Sequence, residues 1–138
     1  LSLRRENSRQ LWIGRKGAPM AIGRIYKGSS LLDVNVYNRQ DENLGTITEV
    51  MVDVDVGCIA YAVLSHGGFL GIGEQLFAVP WAALELDDQR EAYVLDVTPA
   101  QLEQAPGFQR DEWPDMTDEA WGRRVHEFYH IEPYWQHV

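Results

Sequence analysis

Short apolar runs alternate with polar breaks along this chain at intervals of roughly eight to twelve residues, the rhythm of a small all-β domain. Leu32-Asp33-Val34-Asn35-Val36-Tyr37 alternates apolar and polar, as a half-buried strand does. Residues 38–43 are polar and predict a turn. Gly45 to Val56 predicts a long strand in which Val50, Val52, Val54 and Val56 share one face and Glu49, Asp53 and Asp55 the other. Asp55-Val56-Gly57 reads as a hairpin turn. Gly57 to Ser65 is continuously apolar and rich in β-formers, which predicts a buried strand. Glu74 to Trp81 predicts the next strand, ended by Pro80, which cannot donate to a ladder. Between these two lie residues 67–73, with four glycines in seven positions, so the backbone there takes conformations other residues resist. After a short turn at Ala82-Ala83, Leu84-Glu85-Leu86 and the alternating Tyr93, Leu95 and Val97 give two more strands around a polar tip at 87–91. The expected fold class is mainly β: a small six-stranded antiparallel barrel.

The period changes after Val97. Thr98-Pro99-Ala100-Gln101 is a helix start, with Thr98 as N-cap, Pro99 at the first helical position and Gln101 placed for a capping box. Pro106-Gly107 stops that helix early, and Phe108, Trp113 and Pro114 fall in a linker. Thr117 is then read as the cap of a second helix reaching about Ile131, with Asp118 and Glu119 in its first turn. Its apolar stripe is Trp121, Val125, Phe128 and Tyr129. Pro133 ends it, and Pro133-Tyr134-Trp135 is aromatic enough to pack back on the body.

Charge divides the chain sharply. Residues 1–28 carry seven basic side chains against Glu6 alone, while the remainder carries five basic and twenty acidic, giving the net −9. Repeated glycines break any period in the first segment, which predicts a basic arm over 1–28, a barrel over 29–106 and a helical extension over 107–138. Trp12, Ile13, Met20, Ile22, Ile25 and Tyr26 favour docking of the arm on the body. The acidic body repels nucleic acid, so only the arm is suited to bind it. No apolar run approaches the ~18 residues of a membrane helix, and no signal-peptide core follows the first arginines, so no membrane insertion and a cytoplasmic location are expected. A single cysteine, Cys58, excludes an internal disulfide and reads as a small apolar strand residue.

One stretch looks like an enzyme. His126-Glu127-Phe128-Tyr129-His130 matches H-E-x-x-H, in which two histidines hold zinc and the glutamate acts as base. Against that, about 100° per residue turns both imidazoles away from the apolar stripe, toward water, and charged Arg124 and Glu132 flank the motif. The reading adopted is a surface histidine pair with no metal, cofactor or catalytic residue. The aspartates of the long strand read as a solvated outer face. The glycine loop lacks the Lys-Ser/Thr of a phosphate loop and the third glycine of a dinucleotide fingerprint. Ser65 and His66, adjacent on a strand, point opposite ways.

Asn43-Leu44-Gly45-Thr46-Ile47 with Val52-Asp53, Ile59 to Ser65, Gly67-Gly68-Phe69-Leu70-Gly71, Phe77 to Trp81 and Tyr93 to Val97 together resemble the PRC-barrel family. That barrel is shared by the H subunit of photosynthetic reaction centres, the bacterial ribosome-maturation factor and many small stand-alone proteins. Trp113-Pro114 and Trp121 to Tyr129 look like the C-terminal extension of stand-alone bacterial members. The resemblance implies a non-catalytic adaptor without catalytic residues to carry over. The expectation is therefore a protein-interaction or assembly module, not an enzyme, that forms a homo-oligomer through the apolar loop residues Phe69, Leu70 and Ile72. The alternatives are an RNA- or ribosome-associated factor acting through the basic arm, and the zinc hydrolase argued against above.

Overall fold

A computed structural model describes residues 23–68 and 73–137. Seven strands form one sheet: β1 (Val34–Tyr37), β2 (Asn43–Asp53), β3 (Cys58–His66), β4 (Gln75–Pro80), β5 (Leu84–Asp87), β6 (Ala92–Leu95) and β7 (Gly107–Phe108). Their spatial order is β5-β6-β1-β2-β3-β4-β7. The mainly β expectation holds, with three differences in detail. β7 is an addition: Gly107-Phe108 lies along β4 at Leu76 and Phe77, covering backbone groups that the edge of β4 would otherwise expose. Gly107 makes that approach possible, because a Cβ there would come within 2.8 Å of both Gln75 and Phe77. β6 returns beside β1 in parallel, with Val36 opposite Tyr93, so the sheet is not wholly antiparallel. Among the described residues no ladder joins β5 to β7, which leaves a curled but open sheet.

The two apolar runs sit where continuous hydrophobicity places them. Ala60 to Leu64 of β3 and Leu76 to Pro80 of β4 are buried throughout, since the core covers both faces of these central strands. With Leu44, Ile47 and Tyr93 they build one contiguous core. Each fully buried large side chain there contributes roughly 1.5–3 kcal/mol.

β2 departs from the alternation read in its sequence. Its pairing with β3 slips between Ile47 and Glu49 and again between Met51 and Val52. Each bulge adds a residue to one strand and turns the following side chains over. The fully buried residues are therefore Leu44 and Ile47, three apart, followed by Val50 and Met51, which are adjacent and both half-buried against the core. The strand expected to reach Val56 ends at Asp53, so Val54 and Val56 fall in the 54–57 turn and share no strand face with Val52; all three are exposed, at 83%, 46% and 54%. Asp53, expected on a solvated outer face, is half-buried and accepts a hydrogen bond from Tyr134. A close approach governs the start of the strand: at Gly45, φ +138°, a Cβ would lie 1.9 Å from the Ser65 carbonyl oxygen.

Helix α1 (Pro99–Leu102) starts as read. The Thr98 hydroxyl accepts from the Gln101 N–H at 3.0 Å, and the Gln101 side chain accepts from the Thr98 N–H at 2.9 Å. Helix α2 (Glu119–Phe128) begins one residue later than expected and ends earlier. The Thr117 hydroxyl is occupied by Asp115, leaving Asp118 as the N-cap that accepts from the Ala120 N–H. At the other end His130 adopts φ +58° and breaks the helix before Ile131. Trp121, Val125 and Tyr129 are buried as the stripe predicts. Among the described residues no helix is long and apolar enough to cross a membrane.

The basic arm enters the described structure at Gly23. Arg24 donates to Asp88 at 2.9 Å and to the Leu86 carbonyl at 3.0 Å, and the Tyr26 hydroxyl donates to Asp88 at 2.5 Å. Tyr26 thus docks as its aromatic character suggested, whereas Ile25 is 82% exposed.

Candidate functional site

The two ends of β3 carry the features that bear on function. At its C-terminal end the glycine loop leads to β4. Phe69, Leu70 and Ile72, the residues read as an interface, lie outside the described residues. The neck of the loop is within them. Gly67, Gly68 and Gly73 all have φ near +75°, the left-handed backbone the glycine content called for. Behind them Glu74 is buried, accepts from the Ser65 hydroxyl and receives the Arg110 guanidinium, whose Nε lies 2.7 Å from Oε1. The Ser65 hydrogen bond and, after it, the Arg110 charge hold this carboxyl below its usual range against the desolvation that raises it. His66 points elsewhere: Nδ1 donates to the Leu44 carbonyl at 2.6 Å, and Nε2 lies 3.3 Å from the Glu103 carboxylate. Ser65 and His66 are therefore engaged separately, as their strand positions imply.

At the N-terminal end of β3 the hairpin from β2 meets α2 and the C-terminal segment, whose 3-10 turn spans Tyr134–His137. The Tyr134 hydroxyl donates to Asp53 at 2.6 Å. That bond first, then the N–H groups of Val56 and Asp55, keeps the Asp53 carboxyl low. In return, burial and the bond to Asp53 push the Tyr134 phenol up. Trp135 lies against α2 because residue 122 is glycine; a Cβ there would meet the indole at 2.7 Å and the Tyr61 hydroxyl at 3.2 Å. A groove of about 550 Å³ opens between the hairpin, the start of α2 and this tail.

The helical angle puts His126 of the H-E-x-x-H pair on the water side, yet the residue is only 1% exposed. The tail supplies the reason. Tyr134 and Trp135 fold over the second face of α2, and the imidazole packs among Tyr61, Tyr134 and Trp135 with ring centroids 5.2–6.1 Å apart. Its Nδ1 donates to the Gly122 carbonyl at 2.7 Å, so neutral Nε2 is the acceptor and has no hydrogen-bond partner among the described residues. Burial pushes its pKa down. His130 lies beyond the helix end and is exposed, as expected. One imidazole is enclosed and the other solvated, so the two share no face. Among the described residues no group of three or more His, Cys, Asp or Glu side chains is placed to hold a metal ion. The hydroxyls of Tyr61 and Tyr129 are likewise buried and without partners there. Burial raises the Tyr61 phenol to about 12. Cys58, at the start of β3, is a half-buried free thiol.

Sequence reasoning located the glycine loop and the docking tail. It missed the Ser65–Glu74–Arg110 cluster, in which Arg110 stands 36 residues from Glu74 along the chain. It also missed the exposure of Val52, Val54 and Val56, the last two of which lie in the 54–57 turn. No curated protein matches the chain in a sequence comparison. A family model for the PRC-barrel domain, a generally non-enzymatic module, matches residues 23–102. The matched region runs from the first described residue through the six strands β1–β6 to the end of α1, more than half of the chain. The chain belongs to the PRC-barrel family.

Proposed function

We propose that this protein is a non-catalytic assembly module that associates with itself through the glycine loop, using Phe69, Leu70 and Ile72. The observation that carries the proposal is the anchored neck of that loop. A buried, charged Glu74 costs desolvation free energy, which Ser65 and Arg110 offset. An apolar pair in the same place would hold two strands together without that cost. The charged cluster is understood as a device for directionality, setting where the loop leaves the sheet. A loop with three large apolar side chains and a specified exit is suited to bury them against an identical loop in a symmetric contact.

The test is light scattering over a concentration series. The full chain is expected to rise above the 15.8 kDa monomer mass as concentration increases. Phe69→Ser combined with Leu70→Ser is expected to keep it at that mass with its circular dichroism unchanged. A wild-type chain that stays monomeric at millimolar concentration refutes the proposal.

A further inference from the structure

The groove at the hairpin end lies at the opposite end of β3 from the glycine loop, so what it binds is a separate question from self-association. Its apolar surface comes from Met51, Val52, Val54, Met116 and Trp135. Val52 and Val54 are among the most exposed large apolar side chains of the described residues. Its charged lining is of one sign, Asp53, Asp55, Asp118 and Glu119 with no Lys or Arg, of which Glu119 already pairs with Arg123 and Asp53 with the Tyr134 hydroxyl. Tyr61 also lines it and carries a buried hydroxyl without a partner among the described residues. A second copy placing the same surface here would set carboxylates against carboxylates, so the surface selects an occupant that is apolar and basic.

Such a segment is present in the chain itself. Residues 1–22 hold Arg4, Arg5, Arg9, Arg15 and Lys16 against Glu6 alone. Within them, Leu11-Trp12-Ile13 is followed by Arg15-Lys16 and preceded by Arg9. The point where this segment joins the described chain, Gly23, lies toward the hairpin end of the sheet. Its exit is fixed by Arg24 and Tyr26 on Asp88, in the turn that precedes β6. β6 runs parallel to β1, so that turn lies beside the start of β1. The start of β1 pairs with β2 at Ile47, from which β2 runs on to the hairpin. The stretch from residue 22 back to residue 11 spans about 40 Å if extended, about three times the ~13 Å radius of gyration of a 100-residue domain. Tethering supplies a local concentration in the millimolar range, so even a weak contact is well populated.

We propose that Arg9–Lys16 of the chain's own N-terminal segment docks in the groove between the β2–β3 hairpin and α2, with Leu11, Trp12 and Ile13 on the apolar surface and the cations facing Asp55 and Asp118. The contact is intramolecular and weakens with salt.

The test is photo-crosslinking of the full chain with p-benzoylphenylalanine replacing Trp12. The expected product has monomer mass, with the cross-link mapping to residues 51–55 or 116–119. Asp55→Lys combined with Glu119→Lys, both on exposed side chains, is expected to lower the yield at least fivefold. Glu91→Lys with Glu112→Lys, the same charge change at exposed positions outside the groove lining, is expected to leave it within twofold. Cross-links elsewhere on the body, a product of dimer mass, no product at all, or equal loss in both double variants would each overturn the proposal.

Discussion

Lowering the pH is predicted to loosen this fold through one side chain, His126. The imidazole is enclosed by Tyr61 of β3 and by Tyr134 and Trp135 of the tail, with the Gly122 carbonyl as its only hydrogen-bond partner among the described residues. A carboxylate reaches that cluster at Asp53, which accepts from the Tyr134 hydroxyl. Burial disfavours the imidazolium and lowers the pKa in the fold, while the unfolded chain protonates near 6.5. The unfolded state therefore binds the extra proton first, and stability falls as pH falls below that value. If the folded imidazole stays neutral, the loss is about 1 kcal/mol between pH 6.5 and 5.5, and up to about 1.4 kcal/mol for each further unit. Those amounts are a sizeable share of the roughly 5–15 kcal/mol of an ordinary domain. Urea unfolding followed by tryptophan fluorescence, repeated at pH 7.5, 6.5, 5.5 and 5.0, measures the slope. His126→Phe keeps an aromatic in the cluster and is expected to flatten the curve over this window. Parallel curves for the two proteins would show that the enclosed imidazole is not the titrating group and refute the reasoning.

Other outcomes follow from single contacts. Gly45→Ala drives a methyl into the Ser65 carbonyl at a positive φ, and is expected to lower stability by about 3 kcal/mol or more in the same urea assay. Glu74→Gln removes the charge that Arg110 and Ser65 are built around, and is expected to lose about 1–3 kcal/mol at pH 7. Because the Glu74 pKa is lowered in the fold, that difference is expected to shrink as pH falls through the carboxylate range; a constant difference down to pH 3 would contradict it. Thr98→Ala opens the capping box of α1 and is expected to cost about 0.5–2 kcal/mol, with Thr98→Ser recovering most of it.

Much of the architecture is legible in the chain because its signals are local. The apolar runs at 59–64 and 76–79 announce strands covered on both faces. Thr98, Pro99 and Gln101 state a helix start within four positions. Trp121, Val125 and Tyr129 mark the buried face of α2. What escapes is set by distant partners. Nothing near Thr48 or Ala60 in sequence signals the slips in β2–β3 pairing, yet those slips decide which way Val52 and Asp53 face. Two residues, Gly107 and Phe108, are too few to carry a period, so β7 is invisible until β4 stands beside it. The histidine in the helix illustrates the same limit. Its angle from the apolar stripe is as calculated, but the direction it points is covered by Tyr134 and Trp135, arriving from the end of the chain.

An open sheet has margins, and a bare margin invites strangers. Strand β5 is one such border, and a guanidinium from Arg24 sits on its Leu86 carbonyl while also gripping Asp88. A foreign strand seeking to extend the sheet there would have to evict a cation held by a carboxylate. Shortening the protein past that arginine would leave the Leu86 carbonyl uncovered at this border.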